Sequence, residues 1–153
     1  MRLVILALAA FGLAAPAFAE GVKLESSVRE EIVTVDARGE QKITLTEPTA
    51  VAPGDVVVIS IAYENTGAEP AADIVISNPV PEHLRFIGVR AGAGMVSVDG
   101  GASFGALVDL RMREADQTSR PATTADVTHV RWRFDQPLLP GASGAVAFAA
   151  RLD

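Results

Sequence analysis

The sequence predicts an all-β fold, an antiparallel β-sandwich built as a single domain. Three observations carry this. Apolar residues alternate with period two in segment after segment, as at Val57, Ile59, Ile61 and Tyr63. Pro, Gly, Asn and Asp break the alternation every ~8–12 residues, the spacing of short strands joined by turns. No segment of the chain beyond its first nineteen residues sustains a helical period. A length of 153 residues allows one ordinary domain, or one domain plus a tail.

The leader comes first. Met1-Arg2 is a short positive end, Leu3 to Ala15 is an uncharged run rich in Leu and Ala, and Ala17-Phe18-Ala19 is a small-x-small cleavage site. This is the layout of a secretory signal peptide, with Glu20 as the new N-terminus. The apolar run falls short of the ~20 residues that a membrane-spanning helix needs, so no transmembrane anchor is expected after cleavage. No Cys follows it to take a lipid, and no twin-Arg pair precedes it. The expected division is residues 1–19 as signal peptide and 20–153 as the sandwich.

The strands follow in order. Three have the pattern of half-buried strands. In Val56–Asn65, Val57, Ile59, Ile61 and Tyr63 share one face. In Val127–Phe134, Thr128, Val130, Trp132 and Phe134 point one way, and His129, Arg131 and Arg133 the other. In Ala145–Leu152, Val146, Phe148, Ala150 and Leu152 share a face opposite Arg151. Weaker strands are predicted at Val22–Val28, Ile32–Asp36, Gln41–Thr46, Ala72–Ser77, Leu84–Ala91, Met95–Asp99 and Leu107–Arg113.

Turn chemistry separates them. Pro53-Gly54-Asp55 combines a fixed φ with a residue free to take positive φ. Asn65-Thr66-Gly67 ends the strand that follows, and Pro140-Gly141 introduces the last one. Asp99-Gly100-Gly101 is a hairpin signal. Glu114–Asp126, rich in Thr, Ser and Ala, is expected to be a mobile loop at one end of the sandwich.

The order of these turns resembles a known family. Val51-Ala52-Pro53-Gly54-Asp55-Val56-Val57, the alternating strand to Tyr63, and Asn65-Thr66-Gly67 are similar to the domain-of-unknown-function-eleven family. Ala71 to Leu84 and the closing Leu138-Leu139-Pro140-Gly141 continue the likeness, which covers about residues 45–153. Asn78 stands where that family usually carries Asp. The resemblance implies an immunoglobulin-like sandwich on a bacterial envelope protein and implies no activity.

Composition excludes much chemistry. The chain has no Cys, so disulfides, thiol catalysis and thiolate metal sites are out. An exported chain without Cys fits a bacterial periplasm or cell surface. A net charge of −6 argues against nucleic acid. The two histidines, His83 and His129, are read as surface residues. Asp99-Gly100-Gly101-Ala102-Ser103 is far short of the six to eight oxygens that calcium takes. No Ser lies in a nucleophile elbow, and Glu30-Glu31 would point to opposite faces of a strand. No enzyme and no cofactor are expected.

Two features invite a functional reading. Arg111, Arg113, Arg131 and Arg133 would form a basic strip if their strands paired, able to hold an acidic partner or an anionic polysaccharide. A solvated outer face explains the same residues more simply. Trp132 would be a sugar-stacking platform if exposed, and its inward phase with Val130 and Phe134 favours a core anchor. The expectation is an exported, non-catalytic protein-interaction or structural module of the envelope. Its partner would be another envelope protein, docked at edge strands or end loops. The alternative is a binder of a glycan or cell-wall polymer using the Arg-rich face.

Overall fold

Among the described residues, ten strands form two facing antiparallel sheets and a short ribbon. The computed structural model describes residues 21–48 and 50–153. The expected signal peptide, residues 1–19, lies outside the described residues. The strands are β1 (Val22–Val35), β2 (Gln41–Thr46), β3 (Val56–Asn65), β4 (Val75–Pro79), β5 (Leu84–Ala91), β6 (Gly94–Ser97), β7 (Arg111–Arg113), β8 (Ser119–Pro121), β9 (His129–Arg133) and β10 (Ser143–Leu152). The first sheet runs β2-β1-β3-β10-β5, the second β4-β9-β6, and β7-β8 is the ribbon. The β-sandwich predicted from the alternation is the fold.

The core lies between the sheets and is made by the period-two phases. Ile59 and Ile61 from β3, Val130 and Trp132 from β9, and Val146, Phe148 and Ala150 from β10 are buried in one cluster. Trp132 is 2% exposed, and its Nε1 donates to the Ala91 carbonyl at 3.1 Å. The link from β5 to β6 passes directly beside its indole. A Cβ on Gly92, which has φ of 78°, would lie 2.8 Å from Trp132 Cδ1, so only glycine fits there.

The alternation understates β10, where Val146 to Ala150 are all buried. β10 lies inside the larger sheet, and its other face is roofed too. Val58, Ala147 and Ala149 form a second cluster on that face. Arg90 from β5 reaches over it to Glu31 of β1, with Nε 3.1 Å from Oε2. The small residues leave room for the guanidinium: a Cβ on Gly88 would lie 3.4 Å from Arg90 Nη1.

Four expectations need correction. The predicted strands Val22–Val28 and Ile32–Asp36 are one strand, β1. Arg29, Glu30 and Glu31 between them are polar but have no turn chemistry, and there the strand passes from pairing with β3 to pairing with β2. The predicted strand Leu107–Arg113 is a 3₁₀ turn over Leu107–Asp109 followed by β7. Its Leu107 and Leu110 pack on the core from a loop. Asp99-Gly100-Gly101 belongs to a wider loop, closed by the bridge between Val96 and Gly105, and not to a tight hairpin. Finally, Glu114–Asp126 is built, with β8 and a second 3₁₀ turn inside it.

Candidate functional site

The four arginines of the expected strip do not share a face. Arg111 and Arg113 lie on β7, which pairs with β8, whereas Arg131 and Arg133 lie on β9 between β4 and β6. Arg111 donates from Nε to Ser119 Oγ at 3.0 Å. Arg131 stacks over the Phe104 ring with 3.6 Å from its guanidinium carbon to the centroid, and its Nε is buried without a hydrogen-bond partner. Arg133 is exposed. The loop carrying Phe104 thus covers the outer face of β9 where the strip would have run.

The turn residues build corners. In Pro53-Gly54-Asp55, Gly54 takes φ of 99° and the Asp55 amide donates to the Ala52 carbonyl at 3.0 Å. The Asp55 carboxylate accepts from the Ala52 amide at 2.7 Å. Asn65, 1% exposed, is the staple of the opposite corner. Its Nδ2 donates to the carbonyls of Glu69 and Leu138, each at 2.8 Å, and its Oδ1 accepts from the Gly67 amide at 2.9 Å. The Gly141 amide of the Pro140-Gly141 turn donates to the Asn65 carbonyl at 2.8 Å. One amide side chain therefore ties the end of β3 to the entry of β10.

Two charged clusters are satisfied internally. Asp99 accepts from Ser103 Oγ at 2.6 Å, from the Ser103 amide at 2.9 Å and from Ser97 Oγ at 2.7 Å. The bonds from Ser103, then that from Ser97, hold its carboxyl well below the usual carboxylate range. Arg120 makes a two-pronged contact with Asp126, both bonds 2.7 Å, and also reaches Glu114. Arg120 in turn depresses Asp126, which also caps the Thr123 amide and hydroxyl. Arg120 was not singled out in the sequence. Its signal is a cation between two acids within a polar stretch, followed by the Thr123-x-x-Asp126 capping spacing. These groups hold loops in place, and their hydrogen bonds are spent on doing so.

The remaining feature is the β1–β2 edge. β1 pairs with β3 over Val22–Glu31 and with β2 over Glu30–Val35. Among the described residues, Val22–Arg29 therefore have no strand on their second side, and β2 has none on its outer side. Both faces carry exposed apolar side chains. Leu24, Val28 and Ile32 share the phase that faces the second sheet, yet three strands do not cover five, and these side chains stay open. On the opposite face, Val33 pairs directly with Ile43, flanked by Val35 and Leu45. Val35 is 63% exposed and Ile43 59%. β2 is legible in the sequence and β1 as two shorter strands; their position at an edge is not, because pairing partners are distant in the chain.

Among the described residues, no group of three or more His, Asp or Glu side chains converges on a possible metal position, and no helix is long and apolar enough to cross a membrane. Comparison with protein-family models, curated proteins and solved structures gives no match.

Proposed function

We propose that this chain is an exported, non-catalytic interaction module of the bacterial cell envelope, and that it engages its partner through the open edge formed by β1 and β2. One observation carries the reading: among the described residues, seven Val, Leu and Ile side chains lie exposed on the two faces of a single sheet margin with no strand on its outer side. Sheet edges of natural sandwiches are normally short, charged, bulged or covered. β2 carries one charge, Lys42, over six residues, with neither Pro nor bulge. A clustered apolar surface of this kind marks a contact surface. Unpaired amides and carbonyls along the margin supply the hydrogen bonds for strand addition, and the alternate side chains supply selectivity. The leader pattern, the absence of Cys and the family resemblance support the envelope location. The division of the four arginines between two sheets leaves the polymer reading without a continuous basic face.

The test is position-dependent crosslinking in cells. A photoreactive residue at Ile43 or Leu24 should capture one defined protein. The same residue at Val108, which is 87% exposed on the 3₁₀ turn, should not. The processed chain should begin at Glu20 in the periplasmic or extracellular fraction. Equal capture at all three positions, or an unprocessed cytoplasmic chain, would overturn the reading.

A further inference from the structure

We infer that β2 pairs antiparallel with β2 of a second copy, joining two five-stranded sheets into one. The inference rests on the reading of this margin as a contact surface and names its partner. Ile43 and Leu45 share one face of β2, and Lys42, Thr44 and Thr46 share the other. A two-fold axis normal to the sheet keeps like faces together only in registers that place odd residues opposite odd ones. Two such registers overlap the strand well. In one, Ile43 faces Ile43 of the copy, and Lys42 is carried into line with the apolar Ile32 of the copy.

In the other register, Thr44 faces Thr44, Ile43 faces Leu45, and Lys42 faces Thr46. Thr46 is already paired with Glu30 of its own β1. Lys42 of each copy then lies in line with Glu30 of the other, on the same face. This register sets opposite charges toward each other at both ends of the ladder and like charges opposite each other nowhere within it. On the other face it merges Val33, Ile43 and Leu45 with their copies into one apolar patch. Charge therefore selects the register centred on Thr44, and the symmetry makes the interface isologous and closed.

The register makes a sharp test possible, because Thr44 is exposed and sits on the axis. Sedimentation velocity over a concentration series should show a reversible dimer for the unaltered chain. Thr44→Lys and Thr44→Glu each place like charges directly opposite and should raise the dissociation constant by about ten-fold or more. Mixing the two variants should restore dimer. Thr44→Cys, in a chain with no other Cys, should form an intermolecular disulfide on oxidation. A chain monomeric at all concentrations, or a dimer indifferent to Thr44→Lys, overturns the inference. If the chain is monomeric while Ile43 crosslinks to a different protein, the margin is still a contact surface and self-pairing alone is wrong. If it is monomeric and Ile43 captures nothing, both readings fail.

Discussion

The centre of the sandwich and its β1–β2 margin are written in the same residues and end in opposite environments. Ile59 and Ile61 in β3 and Ile32 and Ile43 at the margin are all β-branched residues on alternating strands. The first two are buried; the second two are open to solvent. The difference comes from neighbours. β3 has a strand on each side and the second sheet above, whereas among the described residues the margin has a strand on one side and its side chains stay open to solvent. Period two specifies that a segment is a strand and which residues share a side. Whether that side is covered depends on how many strands the opposing sheet contributes. An alternating strand left uncovered therefore locates a surface that a partner can complete.

The largest effect should come from the best-buried aromatic of the centre. Trp132→Ala removes the indole that Gly92, Gly94 and Val146 enclose and leaves the Ala91 carbonyl without its donor. The loss should be ~3–5 kcal/mol, read from urea unfolding, and should shift the midpoint with little change in slope. A near-unchanged midpoint would mean that the two sheets are not clamped through this residue, and the contrast with the margin would lose its basis.

Next comes the corner. Asn65→Ala deletes two donated bonds and one accepted bond at a buried side chain; the Leu138 carbonyl keeps the Ala71 amide and the Gly67 amide keeps the Gly21 carbonyl, so the Glu69 carbonyl loses most. The cost should be about 1–3 kcal/mol. Asn65→Asp should not rescue it, because a carboxylate has no N–H to give the two carbonyls. Rescue by Asp would show that water reaches this corner.

How far the sequence foretold the molecule follows the same division. Strands β2, β3 and β5 have the predicted bounds because each is framed by turn chemistry, such as Pro53-Gly54-Asp55 before β3 and Asn65-Thr66-Gly67 after it. The pattern of β1 divides it in two because charged residues at Arg29 to Glu31 interrupt its apolar alternation, although charge does not end a strand. Glu114–Asp126 has no large apolar residue to signal a strand, yet it holds β8 and a 3₁₀ turn and is tied by Arg120 to Glu114 and Asp126, an order set by side-chain geometry and not by hydropathy. The margin could not be read at all. Which strands lie at an edge depends on long-range pairing, and Gln41–Thr46 looks like any other short strand.

That polar loop offers a smaller effect, visible through pH. The folded carboxyl of Asp126 is held below its unfolded value of about 3.9 by Arg120. The folded state therefore binds the proton less readily than the unfolded state. The stabilisation is present above pH 4 and is lost as pH falls through the depressed folded value. Melting temperature followed downward from pH 7 should fall more steeply below about pH 4 for the unaltered chain than for Asp126→Asn, which has no such proton to take up. Parallel curves would show that the Arg120 contact is open to solvent and adds nothing to stability.

The smallest expected effect is the one that bears most directly on the comparison. Ile59→Thr and Ile43→Thr make the same chemical change on two antiparallel strands. At Ile59, which touches the central cluster, the change removes packed methyl groups and buries a hydroxyl, at a cost of about 2–4 kcal/mol. At Ile43 the new hydroxyl meets water, Thr retains good strand propensity, and the stability of the dilute chain should stay within about 0.5 kcal/mol of the original. Unfolding measured at increasing protein concentration then separates two sources of stability. If the midpoint of the unaltered chain rises with concentration and that of Ile43→Thr does not, the Ile43 side chain works between molecules and not within one. A large loss for Ile43→Thr in dilute solution would place Ile43 in the monomer's own core, and the margin would be no different in kind from the centre.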